Sequence, residues 1–415
     1  MKAKRISTRQ DLADFIDLAP RLAAQRGESE HYVPLFASDI KEWFAHRGWF
    51  SEPVELWLIL DAKDQPVART ICHRSPELAQ KIAASDHEDD TSGASASGHT
   101  PTTLFFGALE VADEAALDHL ISFLTTRAQE LAAERIFGPV SPLPNVTGGL
   151  LLSGTEHPGF FDSAWNPAFF APSFHSAGFS DWGRAQTWEV EVGSIPAARA
   201  TAVSESEWAQ QGLRRRRVSR TGLRAFARRL LPTLNAAFAQ LPYYTQIPRA
   251  QLQAQMAGLP ALMDPALILD IVGTEDADSA PSRCFALVIP DPVPILRRHG
   301  GRLGPRAILD LVINRRRLHD AVLIIQGTDP RFQGQGILSL VIRDLNAGLA
   351  AGGYRRMRVT FIAEDNPASA AVFERSGGRV LHELAFLDRD LTSDSTPVPI
   401  DEHQCEGDPT EEHER

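Results

Sequence analysis

The spacing of apolar residues changes along the last third of the chain, and each change marks an element. Val322-Leu323-Ile324-Ile325 is a short apolar run of strand length. A turn holding Gly334 and Gly336 follows. Leu338 to Ala351 then reads as a helix with few breakers, closed by Gly352-Gly353 as a C-cap. Met357-Arg358-Val359-Thr360-Phe361-Ile362 reads as the next strand, and a further helix is expected from Pro367.

The first half carries a similar order. Val54–Asp61 and Pro66–His73 read as a hairpin, Leu104–Val111 as a strand, Glu114–Glu134 as a helix and Arg135–Pro139 as a strand. Phe174-His175-Ser176-Ala177-Gly178-Phe179 and the alternating Thr187–Val192 parallel Phe373–Gly378 and its sequel. Two copies of one unit in tandem are the expectation.

Strand, Gly-x-Gly turn and helix start together form an anion-binding device. Glycine lets the backbone turn tightly with no Cβ in the way, and the first-turn amides of a helix point at the anion. No Gly-Lys-Ser/Thr follows, which excludes a P-loop. Ser339 stands where a dinucleotide fingerprint needs its third glycine.

What remains, Arg331-x-x-Gly334-x-Gly336 after a strand, resembles the acyl-CoA pyrophosphate loop of the GNAT superfamily, the GCN5-related N-acetyltransferases. Asn366, Ser369, Phe373 and Gly377 resemble its later motif in order and spacing. The likeness covers roughly residues 267–391. Gly138-Pro139-Val140-Ser141 and Trp165-Asn166-Pro167, joined to Glu364-Asp365-Asn366 and Gly377-Gly378-Arg379, extend it to a family of bacterial tandem GNAT-like proteins.

The resemblance implies an α/β (α+β) fold of two tandem domains, each a mixed, mostly antiparallel sheet flanked by helices. Residues 1–195 would form a degenerate N-terminal domain, 196–391 the acyl-CoA domain, and 392–415 a disordered acidic tail. The implied reaction is direct acyl transfer from acetyl-CoA or another acyl-CoA to a small-molecule or peptide amine. Arg331, Phe332, Gln333, Gly334, Gln335, Gly336 and Ile337 would hold the pyrophosphate, with Asn366 and Phe373 beside the cofactor's arm. The strand ending near Thr328 should splay from its neighbour near Phe361, so that the pantetheine pairs there like an added strand.

Glu364 and Asp365 are the candidate bases, although Asp365 could instead cap the helix at Pro367 and Glu364 be merely solvated. Asn366 could likewise be a cap, and Arg331 a surface residue. Many members of the superfamily carry a proton-donating Tyr where this chain has Phe373. A non-catalytic CoA-binding sensor is therefore an alternative to an enzyme. In the first copy, Asp113 and Glu114 replace the glycine turn; they suit a helix cap but repel a pyrophosphate. That copy is expected to be structural and to wall the acceptor cleft.

Composition adds bounds. A chain of 415 residues exceeds one ordinary domain. No stretch approaches the roughly 18 apolar residues of a membrane span, and the start lacks the apolar segment of a secretory signal. Cys72, Cys284 and Cys405 are too scattered for a disulfide framework or a zinc site. A cytoplasmic protein without metal or membrane partner, monomeric or homodimeric, is expected. Of the net charge of −11, eight acids and one arginine from Leu391 onward supply most. Residues 84–101 read as a mobile loop.

No acid occurs between Ala209 and Met263, whereas Arg214–Arg217, Arg220, Arg224, Arg228, Arg229 and Arg249 are basic. Such a stretch could attract CoA's 3′-phosphate or an acidic acceptor. It also motivates a third reading, an aminoacyl-tRNA-dependent transferase like the Fem-like enzymes. The glycine loop opposes that reading, because a tRNA ester needs no pyrophosphate cradle. Nucleic-acid binding lacks interleaved aromatics apart from Phe226, Tyr243 and Tyr244, and a solvated basic face is expected instead. The aromatic-rich link from Phe160 to Trp188 is expected to pack between the halves or line an acceptor pocket.

Overall fold

The alternating segments pair edge to edge across both halves, so that one sheet runs through the molecule. The computed structural model describes residues 1–47, 52–89, 99–142, 148–256 and 259–392. Its strands are β1 (Lys2–Arg5), β2 (Glu55–Leu60), β3 (Pro66–His73), β4 (Thr103–Val111), β5 (Arg135–Gly138), β6 (Leu150–Ser153) and β7 (Ser180–Glu191). The second half continues with β8 (Leu213–Arg216), β9 (Ile268–Gly273), β10 (Cys284–Pro290), β11 (Asp320–Thr328), β12 (Arg356–Ala363) and β13 (Arg379–Asp390).

The order is β1-β2-β3-β4-β5-β13-β7-β12-β11-β10-β9-β8, with β6 also on β13. Only β4/β5 and β11/β12 are parallel pairs among the described strands. Each half thus shows the expected mixed, mostly antiparallel sheet with flanking helices. The closing strands are exchanged. β7 ends the first half yet borders β12, while β13 ends the second half yet borders β5. The two lie side by side from Arg379↔Glu189 to Asp388↔Ser180.

Charge pairs fasten this seam. Glu189 on β7 is buried and takes Arg358 at 3.1 Å and Arg379 at 2.8 Å. Burial opposes its charge, but Arg358, Arg379 and Arg356 outweigh it and hold the carboxyl below its ordinary range. Arg135 on β5 grips Asp388 on β13 with two bonds of 2.6 and 2.7 Å. His382 is fully buried with its Nδ1 2.7 Å from Thr187 Oγ1.

In both halves a helical excursion joins the third and fourth strands and leans on the other half. Lys81, on the helix Pro76–Asp89, donates to the Ala239 carbonyl at 2.9 Å. Arg297, on the helix Val293–Arg298, donates to the carbonyls of Tyr32, His31 and Gly159.

Several expectations need correction. The loop expected from residue 84 is helical as far as Asp89. Leu78, Ala79 and Ile82 bury one face of that helix, and Asp86 binds both Arg135 and the Trp182 indole. Composition alone does not reveal those partners. Residues 90–98 and the acidic tail from 393 lie outside the described residues. The helix expected to reach Glu134 ends at Glu130. Ahead of the motif-bearing residues 267–391, β8 and the helix Leu223–Phe238 also belong to the second half. Of the aromatic link, Phe170, Phe174 and Phe179 join the first half's core and Trp188 the second's.

Candidate active site

β11 and β12 pair only from Asp320↔Arg356 to Leu323↔Val359. Beyond that, β11 follows β10 to Thr328 and β12 follows β7 to Ala363, so the two part. A bulge drives the separation. Leu287 faces Ile325 and Val288 faces Leu323, leaving Ile324 as an extra residue that bends β11. Thr360 Oγ1 donates to the Ile324 carbonyl at 3.3 Å, at the fork. On β11 beyond the fork, Gln326 Oε1 is buried and has no hydrogen-bond partner among the described residues.

The glycine turn stands past the open end of β11. Gly334 and Gly336 have φ of 75° and 76°, and a Cβ at either would meet nothing within 4 Å. Gly336 is the N-cap of the helix Ile337–Ala351, whose buried Ile337, Val341, Leu345 and Leu349 anchor it on the sheet. Among the described residues, nothing accepts a hydrogen bond from the amides of Gly334 to Leu338. Gln333 to Gly336 are exposed. This is an exposed run of unpaired donors at the positive end of a fifteen-residue helix.

The neighbouring side chains have mixed placements. Arg331 is 76% exposed and bound to Asp329 through Nε at 3.0 Å and Nη2 at 2.6 Å. Bonding to Arg331 holds the Asp329 carboxyl below its ordinary range. Phe332 lies 4.6 Å beneath the Arg283 guanidinium, and Gln335 reaches back to the Arg331 carbonyl. Asn366 caps the helix Pro367–Glu374 by accepting from Ser369 N at 3.2 Å. Asp365 does not cap it. Phe373 is fully buried in the second core with Val341 and Leu345.

Glu364 and Asp365 are exposed at the end of β12. With Ala363 they line a cleft of about 410 Å³, whose other walls are Gly183 and Arg184 of β7 and the segment Leu241-Pro242-Tyr243. Tyr243 packs edge-on against Phe361 at 5.1 Å, and no partner for its hydroxyl occurs among the described residues. Burial, and then the charge of Asp365, push that phenol well above its usual pKa, so it keeps its proton at neutral pH. Arg184 is tied to Asp181 at 2.7 Å. Tyr243 and Arg184 escaped the sequence reading because they are distant in the chain. Two adjacent tyrosines in a stretch without acids were the only signal.

The corresponding place in the first half is closed. β4 and β5 also part after Phe105↔Phe137, and β4 carries an extra residue farther on, between Gly107 and Glu110. There the chain after β5 fills the gap: Val140 N donates to the Phe106 carbonyl at 2.7 Å. A Cβ on Gly138 would stand 2.3 Å from that same oxygen. Asp113 caps the following helix by accepting from Ala116 N.

Four arginines of the basic stretch are ion-paired within the fold, and the rest stay at the surface. Arg216 and Arg229 both bind the fully buried Asp270, at 2.7 and 2.8 Å. Arg215 binds Asp344 at 2.6 Å and Arg214 binds Asp278 at 2.8 Å. The sequence shows no acid nearby because the partners come from β9 and from helices and loops far along the chain. Arg217, Arg220, Arg224 and Arg228 stay exposed.

No protein-family model matches the chain, and no curated protein matches it. Among solved structures it is similar to a tandem GNAT protein from the clavulanic acid biosynthesis pathway. That likeness has 12% identity and a TM-score of 0.53, and it covers 94% of this chain and 98% of that one. It is also similar to a fungal multi-domain GH3 β-N-acetylglucosaminidase that contains a GCN5-related glucosamine N-acetyltransferase region. There the identity is 11% and the TM-score 0.51, over 94% of this chain and 38% of that one. With both halves built on the same splayed sheet, this chain is a tandem protein of the GNAT fold.

Proposed function

We propose that the second half, residues 196–391, binds acyl-CoA and transfers its acyl group directly to an amine. The observation that carries this reading is the join of two features: a strand pair that opens after Leu323↔Val359, and unpaired amides from Gly334 to Leu338 at the open end. The amides suit a diphosphate. The open edges of β11 and β12 suit the amide groups of a pantetheine arm, and the buried, unpartnered Gln326 Oε1 offers an acceptor for one of its N–H groups. The first half, residues 1–195, serves as scaffold and supplies Gly183 and Arg184 to the acceptor cleft.

In that cleft the amine nitrogen attacks the thioester carbonyl carbon, the C–S bond breaks, and the sulfur takes up a proton. Glu364 and Asp365 supply carboxylates that attract a cationic amine and accept its proton. Tyr243 supplies the proton for the thiolate, the role the family resemblance assigns to the position of the buried Phe373. Paired arginines and an intact glycine loop favour this reading over a tRNA-dependent transferase.

Calorimetric titration with CoA, followed by thiol release from acetyl-CoA in the presence of an amine panel, tests the proposal. Binding and amine-dependent thiol release are expected. Binding without turnover would leave the CoA sensor, and absence of binding would remove both.

A further inference from the structure

The excursion between β10 and β11 ends in the helix Pro305–Asn314, and the outward side of that helix is apolar. Ala307 and Leu311 face inward and are buried. Ile308, Leu309, Val312 and Ile313 face outward and are 47%, 59%, 62% and 65% exposed, and Leu303 just before them is 41% exposed. At about 100° per residue the outward apolar arc, with Pro305, spans roughly 140°. A solvated helix carries polar residues there. The polar side chains Asp310 and Asn314 are instead bonded to each other and to Arg298 and His299 on the flank. The apolar patch is on the order of 500 Å², comparable to the largest patch on a typical monomer, which is often functional.

Arginines border the patch. Arg306 lies on the helix, and Arg315, Arg316 and Arg317 follow in one turn. None of these four guanidinium groups has an ion-pair or hydrogen-bond partner among the described residues, unlike the paired arginines near β8. A stripe of aliphatic side chains beside unneutralised guanidinium groups has the chemistry of a helix lying in an anionic membrane surface. The aliphatic groups enter the acyl boundary and the guanidinium groups meet lipid phosphates. A second copy of this chain would fit less well, because a two-fold pairing of the patch brings both arginine sets together.

We propose that this helix is a peripheral docking surface for an anionic lipid bilayer. No helix among the described residues is long and apolar enough to cross a membrane, so the contact is with the surface alone. The net charge of −11 opposes general adsorption to anionic lipid, which makes attachment a property of this patch.

The test is co-sedimentation of the full chain with vesicles of phosphatidylcholine alone or mixed with phosphatidylglycerol. Binding to the mixed vesicles, weakened by salt, is expected, with little binding to phosphatidylcholine alone. Replacing Arg306, Arg316 and Arg317 by Gln should weaken binding about fivefold per arginine. Leu309→Ser with Val312→Ser should lower it at least about tenfold at equal lipid. Both sets are exposed, and unchanged melting temperatures would show that the fold survives. Failure to sediment with anionic vesicles, or binding indifferent to both sets, overturns the proposal. So does a concentration-dependent dimer that the Leu309→Ser/Val312→Ser protein no longer forms. CoA binding is independent of all these outcomes.

Discussion

Replacing Gly336 by Glu separates the cradle from the fold that carries it. At φ of 76° any residue with a Cβ is strained by roughly 1–2 kcal/mol. No collision adds to that, because a Cβ there meets nothing within 4 Å. The chain should therefore fold. The new carboxylate would stand over the amides of Gly334 to Leu338, where a diphosphate is proposed to sit. At a separation near 4 Å and an effective dielectric constant of 20, one pair of like charges repels by about 4 kcal/mol, close to a thousandfold in Kd. Gly336→Ala carries the strain without the charge and should weaken binding only several-fold.

Titration calorimetry with CoA reads the affinity directly, and thermal melting reads it independently. Saturation at about 100 times Kd should stabilise the parent protein by about 2.7 kcal/mol and the Glu variant hardly at all. Ala115→Glu, on the exposed first turn of the corresponding helix Glu114–Glu130, should leave CoA affinity unchanged. The reasoning is refuted by a Gly336→Glu protein that binds CoA as the parent does, or by equal losses in the two halves.

Tyr243→Phe should leave CoA affinity intact and lower kcat about a hundredfold, the lower range for a removed proton donor; an unaltered kcat in steady-state thiol release would dismiss its role. Burial pushes His73 and His382 down to about 4 from an ordinary 6.5. Between those values the unfolded chain binds protons that the folded chain refuses, so stability is full above pH 6.5 and falls as the pH drops toward 4. Each histidine should remove about 2 kcal/mol between pH 7 and 5, measured by urea unfolding, and replacing both by Gln should flatten that profile. Asp270→Ala strands Arg216 and Arg229 beside a buried site and should lower unfolding free energy by about 3–5 kcal/mol. A loss under about 1 kcal/mol would mean that water repairs the site.

The elements nearest the cradle were legible in sequence because local chemistry specifies them. β11 and β12, the helix between them and the turn at Gly334 and Gly336 each declare themselves by period or by glycine. The helix Leu223–Phe238 went unread: Leu223, Phe226, Ala227, Leu230 and Leu234 keep helical spacing, but its arginines suggested only a charged face. Long-range pairing was out of reach. Nothing near Arg216 announces Asp270, and no local pattern places Tyr243 beside Asp365. Asn366 shows the opposite case, in which a motif position is also a plain cap: its side chain accepts from Ser369 N, so the spacing alone could not separate those roles.

The exchange of β7 and β13 has a consequence for biosynthesis. While a ribosome extends the chain, β5 emerges long before the strand that will cover it, and nearly all of the second half must be translated in between. A nascent first half therefore waits with an unpaired edge, a state prone to joining its neighbours on a crowded polysome. Overexpression would be expected to punish slow translation between Glu191 and Arg379, and a chaperone that shields β5 during that interval would raise the soluble yield.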